Sequence, residues 1–100
     1  MTASEAAAQD RIAYLILPPS LDLTEAEGLC QALRDRLHEG ALLLDASMVE
    51  RISTPCLQVL AAAAASAMRR GAEFHLRHAS TAFSAAIADL GLTAAIPFED

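Results

Sequence analysis

Residues 41–60 read ALLLDASMVERISTPCLQVL, and the fold follows from how this stretch is divided. Ala41 to Asp45 is a short apolar run with no polar alternation, the pattern of a strand covered on both sides or lying at a sheet centre. A connector over residues 46–52 leads to Ser53-Thr54-Pro55-Cys56, and residues 57–68 continue as an apolar, Ala-rich run. A hydroxyl followed by proline is the chemistry of a helix start. Thr54 is placed to cap, and Pro55 suits the first helical position, where the N–H it lacks would have no partner. The free N–H groups and positive dipole end of such a helix favour a small anion such as phosphate.

Outward from this junction the same alternation repeats. Residues 11–17 (RIAYLIL) form a short continuous apolar run bounded by Pro18-Pro19, which predicts a buried strand. Residues 20–23 are expected to be loop, ending at Thr24, which with Glu27 makes a capping box. The predicted helix sets Leu29, Leu33 and Leu37 on one face, turns Arg34, Asp35 and Arg36 outward, and stops at Gly40. After Pro55, the expected core stripe is Leu57, Leu60, Ala61, Ala64 and Met68; Arg69-Arg70 suit the helix C-terminus and Gly71 ends it. Residues 73–77 (EFHLR) alternate, as a half-exposed strand near an edge does. Ser80 or Thr81 caps a last helix carrying Phe83, Ile87 and Leu90, ended by Gly91, and Leu92, Ile96 and Phe98 fold back on the core.

This order predicts an α/β domain: a small, mostly parallel or mixed sheet of three to five strands with helices mainly on one face. Ligands and partners of such sheets meet the carboxyl ends of the strands, where the loops gather. Thr54 falls on that rim.

Composition narrows the function classes. One hundred residues make one domain, and 54% broadly hydrophobic content, much of it alanine, gives it a single core. A net charge of −6, four aromatic residues and no Trp argue against nucleic-acid binding. No run approaches a membrane span of roughly 18 residues. Cys30 and Cys56 are far apart, without a CxxC pair or a histidine at metal spacing, so neither a metal nor a cofactor is expected. A reducing, cytoplasmic setting suits two free thiols and an N-terminus without a basic start. Residues 1–10 have little pattern and are expected to be a frayed lead-in, with a further edge strand left open.

Together the pieces resemble the STAS domain, the small fold of bacterial anti-sigma-factor antagonists and their relatives. Its carriers are Leu21-Asp22-Leu23-Thr24-Glu25-Ala26, Leu42-Leu43-Leu44-Asp45, Ile52-Ser53-Thr54-Pro55-Cys56-Leu57-Gln58-Val59-Leu60, Gly71-Ala72-Glu73-Phe74, and Ala79-Ser80 before Leu90-Gly91-Leu92. The likeness implies one STAS-like domain over residues 11–98 that binds a protein partner, such as a kinase-like anti-sigma regulator or a chemosensory component. In the family the hydroxyl after an Asp is phosphorylated. Carried over, Ser53 stands where the Asp would be and Thr54 at the acceptor position, with Ser53 itself a second candidate. Family members in chemotaxis clusters and ABC-type lipid-transport complexes carry degenerate forms of this motif, which implies a constitutive adaptor as the alternative.

The candidate site is therefore Ser53 and Thr54 for phosphate, with Asp22, Asp45, Pro55, Cys56, Gln58 and Ala62 for partner contact. Asp45 either sits near the acceptor or caps the connector at Ser47 or Met48. No catalytic residue is expected. The one enzymatic alternative is Cys56 in the first helical turn, acting as nucleophile with His78 as base. It lacks a third orienting group. Ala62, Ala65 and Ser66, with Gln58 and Arg69, form the outer helix face, where small side chains let another backbone approach.

Overall fold

The computed structural model describes residues 14–98; the expectations for residues 1–10 and the start of the first strand lie outside them. Five strands and three α-helices follow one another in these residues: β1 (Leu15–Ile16), β2 (Ser20–Leu21), a 3-10 turn (Leu23–Glu25), α1 (Ala26–His38), β3 (Ala41–Asp45), β4 (Arg51–Ile52), α2 (Thr54–Arg70), β5 (Glu73–Arg77) and α3 (Thr81–Asp89). The main sheet is parallel in the order β1-β3-β5, with Leu15 opposite Leu44 and Leu42 opposite Phe74. The run ALLLD is its central strand, and EFHLR lies on its edge. Helices α1 and α2 pack on each other and both touch β3, so they cover one face.

Two segments expected to be loop and connector contribute strands instead. Ser20–Leu21 and Arg51–Ile52 pair in parallel, Ser20 opposite Arg51 and Leu21 opposite Ile52. Two-residue strands have no periodicity to read, and their pairing is fixed by partners distant in sequence. The expected α/β class and one-sided helix packing otherwise stand.

Three local assignments change. Thr24 does not cap a helix; it donates its N–H and hydroxyl to Asp22 Oδ1, at 3.0 and 2.6 Å, and Asp22 caps the 3-10 turn. The proposed capping box at Thr24 and Glu27 is thereby replaced by an Asx-type turn, which a short carboxylate makes readily. Helix α2 is capped by Ser53, whose Oγ accepts from the Cys56 N–H at 3.4 Å, so Thr54 is already helical and Pro55 follows it. Third, Met68 and Leu90 are exposed, at 75% and 45%, rather than in the core.

The core is built by Leu29, Leu33 and Leu37 of α1, Leu42 and Leu44 of β3, and Cys56, Leu57, Leu60, Ala63, Ala64 and Ala67 of α2. Small Ala side chains at the last three positions allow close approach to the sheet. Gly71 closes α2 in the left-handed conformation, φ 69°, with Ala72 N–H to Ala67 C=O and Gly71 N–H to Met68 C=O. Phe83, Ile87 and Ile96 are fully buried, and Leu92 and Phe98 pack beside them, so the tail folds back as expected. Among the described residues no helix is long and apolar enough to cross a membrane.

Candidate functional site

Parallel strands bring their carboxyl ends to one rim, and here hydrogen bonds stitch the rim loops together. Glu50 N–H donates to Pro19 C=O at 2.7 Å, Ser53 N–H to Leu21 C=O at 2.8 Å, and Ser80 N–H to Ala46 C=O at 3.2 Å. Ser80 also donates its hydroxyl to Val49 C=O at 2.6 Å while accepting from Phe83 N–H as the cap of α3. The start of α2 is thus held in a fixed frame by the turns after β1 and β3.

Within this frame the adjacent hydroxyls differ. Ser53 is half-buried and its oxygen is occupied by the cap, whereas Thr54 is exposed at the first helical residue. Pro55 is half-buried, and Gln58 and Ala62 follow on the exposed side of α2. Cys56 is fully buried and its Sγ donates to the Asp22 carbonyl at 3.3 Å. Its hydrogen-bond partner is a backbone oxygen and not an imidazole. His78 is exposed, with φ 56°, at the end of β5. The Cys56 thiol therefore serves as packing and as a tie between α2 and the Asp22 turn.

The two carboxylates have separate roles. Asp22 lies on the rim, and the Thr24 hydroxyl holds its carboxyl below the usual range, aided by backbone N–H groups of Thr24 and Glu25 and by the charge of Arg51. Asp45 is 7% exposed. Burial pushes its carboxyl up, but the hydroxyl and N–H of Ser47, at 2.7 and 2.9 Å, and the Arg77 guanidinium at 3.1 Å together hold it below the usual range. Arg77 in turn lies 3.6 Å from the centre of the Tyr14 ring. Of the two positions offered for Asp45, capping the connector is the one seen; both its oxygens are engaged by Ser47 and Arg77.

The structure therefore brings Ser53, Thr54, Cys56 and Asp22 together at one point, with Gln58 and Ala62 extending along α2. It adds two residues that the sequence did not single out, Leu23 and Met48, which are 67% and 54% exposed on rim loops. A lone Leu between Asp22 and Thr24 and a lone Met in a connector carry no periodic signal. Only the fold reveals that they stand in solvent. Among the described residues no three His, Cys, Asp or Glu side chains converge as metal ligands.

The overall fold is shared with solved structures. The NMR structure of the protein TM1081 is 21% identical and superposes with a TM-score of 0.73, covering 87% of this chain and 72% of that one. A crystal structure of TM1081, a candidate anti-sigma factor antagonist from Thermotoga maritima, gives 22% identity, a TM-score of 0.70, and coverage of 88% and 80%. At such identities the likeness concerns the fold. No curated protein matches the sequence. The family model described as "Mlab, STAS domain" matches residues 5–97, nearly the whole length, and on that match this chain belongs to the STAS domain family.

Proposed function

We propose that this domain is a non-catalytic signalling module of the anti-sigma-factor-antagonist type. It docks a kinase-like regulatory protein through Thr54 and Pro55 of the Ser53–Cys56 rim and the exposed side of α2, and phosphate on Thr54 weakens the contact. The observation that carries this reading is the exposed Thr54 hydroxyl at the first residue of α2. A phosphate there adds a charge of about −1.5 to −2, which the helix N-terminus accepts on its own side while an apolar or acidic partner surface is repelled. Exposed Leu23 and Met48 on the same rim supply apolar contact area to a partner.

The test is capture of candidate kinase-like regulators by wild type, Thr54→Glu and Gln58→Arg. Each variant is expected to weaken capture by about tenfold or more. Unchanged capture by both moves the docking site elsewhere.

One observation favours the constitutive adaptor, in a chemotaxis cluster or an ABC-type lipid-transport complex, as the second reading. The residue before Thr54 is a serine committed to capping, and the Asp45 carboxylate is engaged by Ser47 and Arg77, so no carboxylate is available from either to orient the acceptor. Intact-mass measurement after incubation with an active regulator kinase separates the two: the added mass of one phosphate, lost in Thr54→Ala, supports the switch, and an unmodified chain supports the adaptor.

A further inference from the structure

Helices α1 and α2 leave an open groove of about 550 Å³ between them. Cys30, Leu33, Arg34 and Leu37 line it from α1 at i, i+3, i+4 and i+7, a single helical face. Gln58, Ala62, Ser66 and Arg69 continue the other wall along α2. Leu33 and Ala63 are buried at its base, and Ala62, Ala63 and Ser66 give the middle of the α2 wall small side chains.

Two features define what fits. Both walls are α-helices whose interior backbone groups already bond to one another. An extended peptide in this groove would leave its own N–H and C=O groups unpaired, whereas a helix brings them satisfied. The groove runs from Pro55 to Arg69, about 21 Å at 1.5 Å per residue, the length of about four helical turns. The second feature is charge. Arg34 and Arg69 are the charged residues lining the groove, and no carboxylate does. Both are exposed and have no ion-pair partner among the described residues, and no Asp or Glu stands three or four positions away on the same helix. On a chain of net charge −6 they are two cations bordering an apolar trough.

We infer that the groove receives an amphipathic helix of the partner protein, with its apolar stripe against Ala62 and Ala63 and Asp or Glu side chains on its flank meeting Arg34 and Arg69. The inference rests on the partner-binding reading above and names the part of the partner that docks. Charge complementarity sets the polarity of the choice: an acidic flank is attracted to the two arginines and a basic one repelled.

The test places p-benzoylphenylalanine at Ala62, Thr54 or, as control, Ala85 of the full chain in its native cells, followed by irradiation and mass spectrometry of the attached segment. The expected result is attachment from Ala62 to a partner segment with apolar residues at helical spacing and an acidic flank. Combined Arg34→Glu and Arg69→Glu should lower that yield about tenfold, with the melting temperature lowered by only a few degrees, because both side chains are exposed and the main loss is the favourable charge of Arg69 at the C-terminus of α2. Reversal of the partner's acidic residues to Arg should restore it. Attachment from Thr54 but not Ala62 overturns the groove and leaves the rim reading standing; attachment from neither overturns both. A segment without acidic residues, a second copy of this chain, or a yield indifferent to the arginine changes also overturns the inference.

Discussion

Ser53 and Thr54 are neighbours of similar chemistry, yet one residue of register assigns them different roles. Ser53 has extended backbone, φ −79° and ψ 157°, so its oxygen reaches the Cys56 N–H while its carbonyl accepts from Leu57. The sequence assigns the cap to Thr54 because Pro55 is taken as the first helical residue. In fact Pro55 tolerates the second position equally, since that N–H is also without an intrahelical partner. The shift by one keeps Thr54 out of the capping role, and it stands exposed at the first helical residue. Ser53→Ala should cost about 0.5–1 kcal/mol, toward the low end for a cap because the 3.4 Å bond is long. Thr54→Ala, at an exposed site, should stay within about 0.5 kcal/mol. Urea denaturation of both variants checks this; a larger loss for Thr54→Ala would return the cap to that residue.

At the scale of elements, three strands have a readable pattern: two pair along five residues, and the third, RIAYLIL, expected to be buried, pairs as Leu15–Ile16 at the other edge of the sheet with Ile16 54% exposed. ALLLD and EFHLR fall where composition and alternation put them, whereas β2 and β4 owe their existence to each other. What the sequence does not announce is the cross-strand link between Asp45 of β3 and Arg77 of β5, which share a register position and meet at 3.1 Å. Register is a property of the pair, and neither strand alone encodes it. Together with the Ser47 hydroxyl and N–H on the same carboxylate, the link makes stability pH-dependent in a definite direction. The Asp45 carboxyl is held below its ordinary value of 3.8, so the unfolded chain binds the proton more readily. The stabilisation is complete above that value and is lost as pH falls through the folded-state value. Melting temperatures recorded from about pH 6 to about pH 3 should therefore fall more steeply for wild type than for Asp45→Asn. Asp22 is shifted the same way, so the variant should keep some acid sensitivity. Equal slopes for the two proteins would show that the Asp45 carboxylate, held by Ser47 and Arg77, contributes nothing to folding.

Across the whole molecule, burial rather than hydrophobicity decides which apolar residues hold the fold. Helix α2 is apolar on nearly every side, so periodicity alone cannot choose its inner stripe. Leu57, Leu60 and Ala64 are inside as expected, but Ala63 and Ala67 join them, and Met68 is turned to solvent at 75% exposure. The tail shows the reverse case. Ile96 lies outside any helix or strand, yet it is fully buried beside Phe83 and Ile87, held by its N–H to the Leu92 carbonyl at 2.9 Å. Removing its side chain empties space that the sheet and α3 cannot close without moving. Ile96→Ala should therefore cost about 2–5 kcal/mol, a large share of the roughly 5–15 kcal/mol that stabilises a domain of this size. The melting temperature should drop by roughly 10 °C or more. Met68→Ala should change stability by less than about 0.5 kcal/mol despite removing a comparable apolar side chain. Denaturant titrations of the pair compare a buried residue in an irregular tail with an exposed one in a regular helix. Similar losses in both would mean that the closing segment is not part of the core, and that the rim and groove stand on the sheet and first two helices alone.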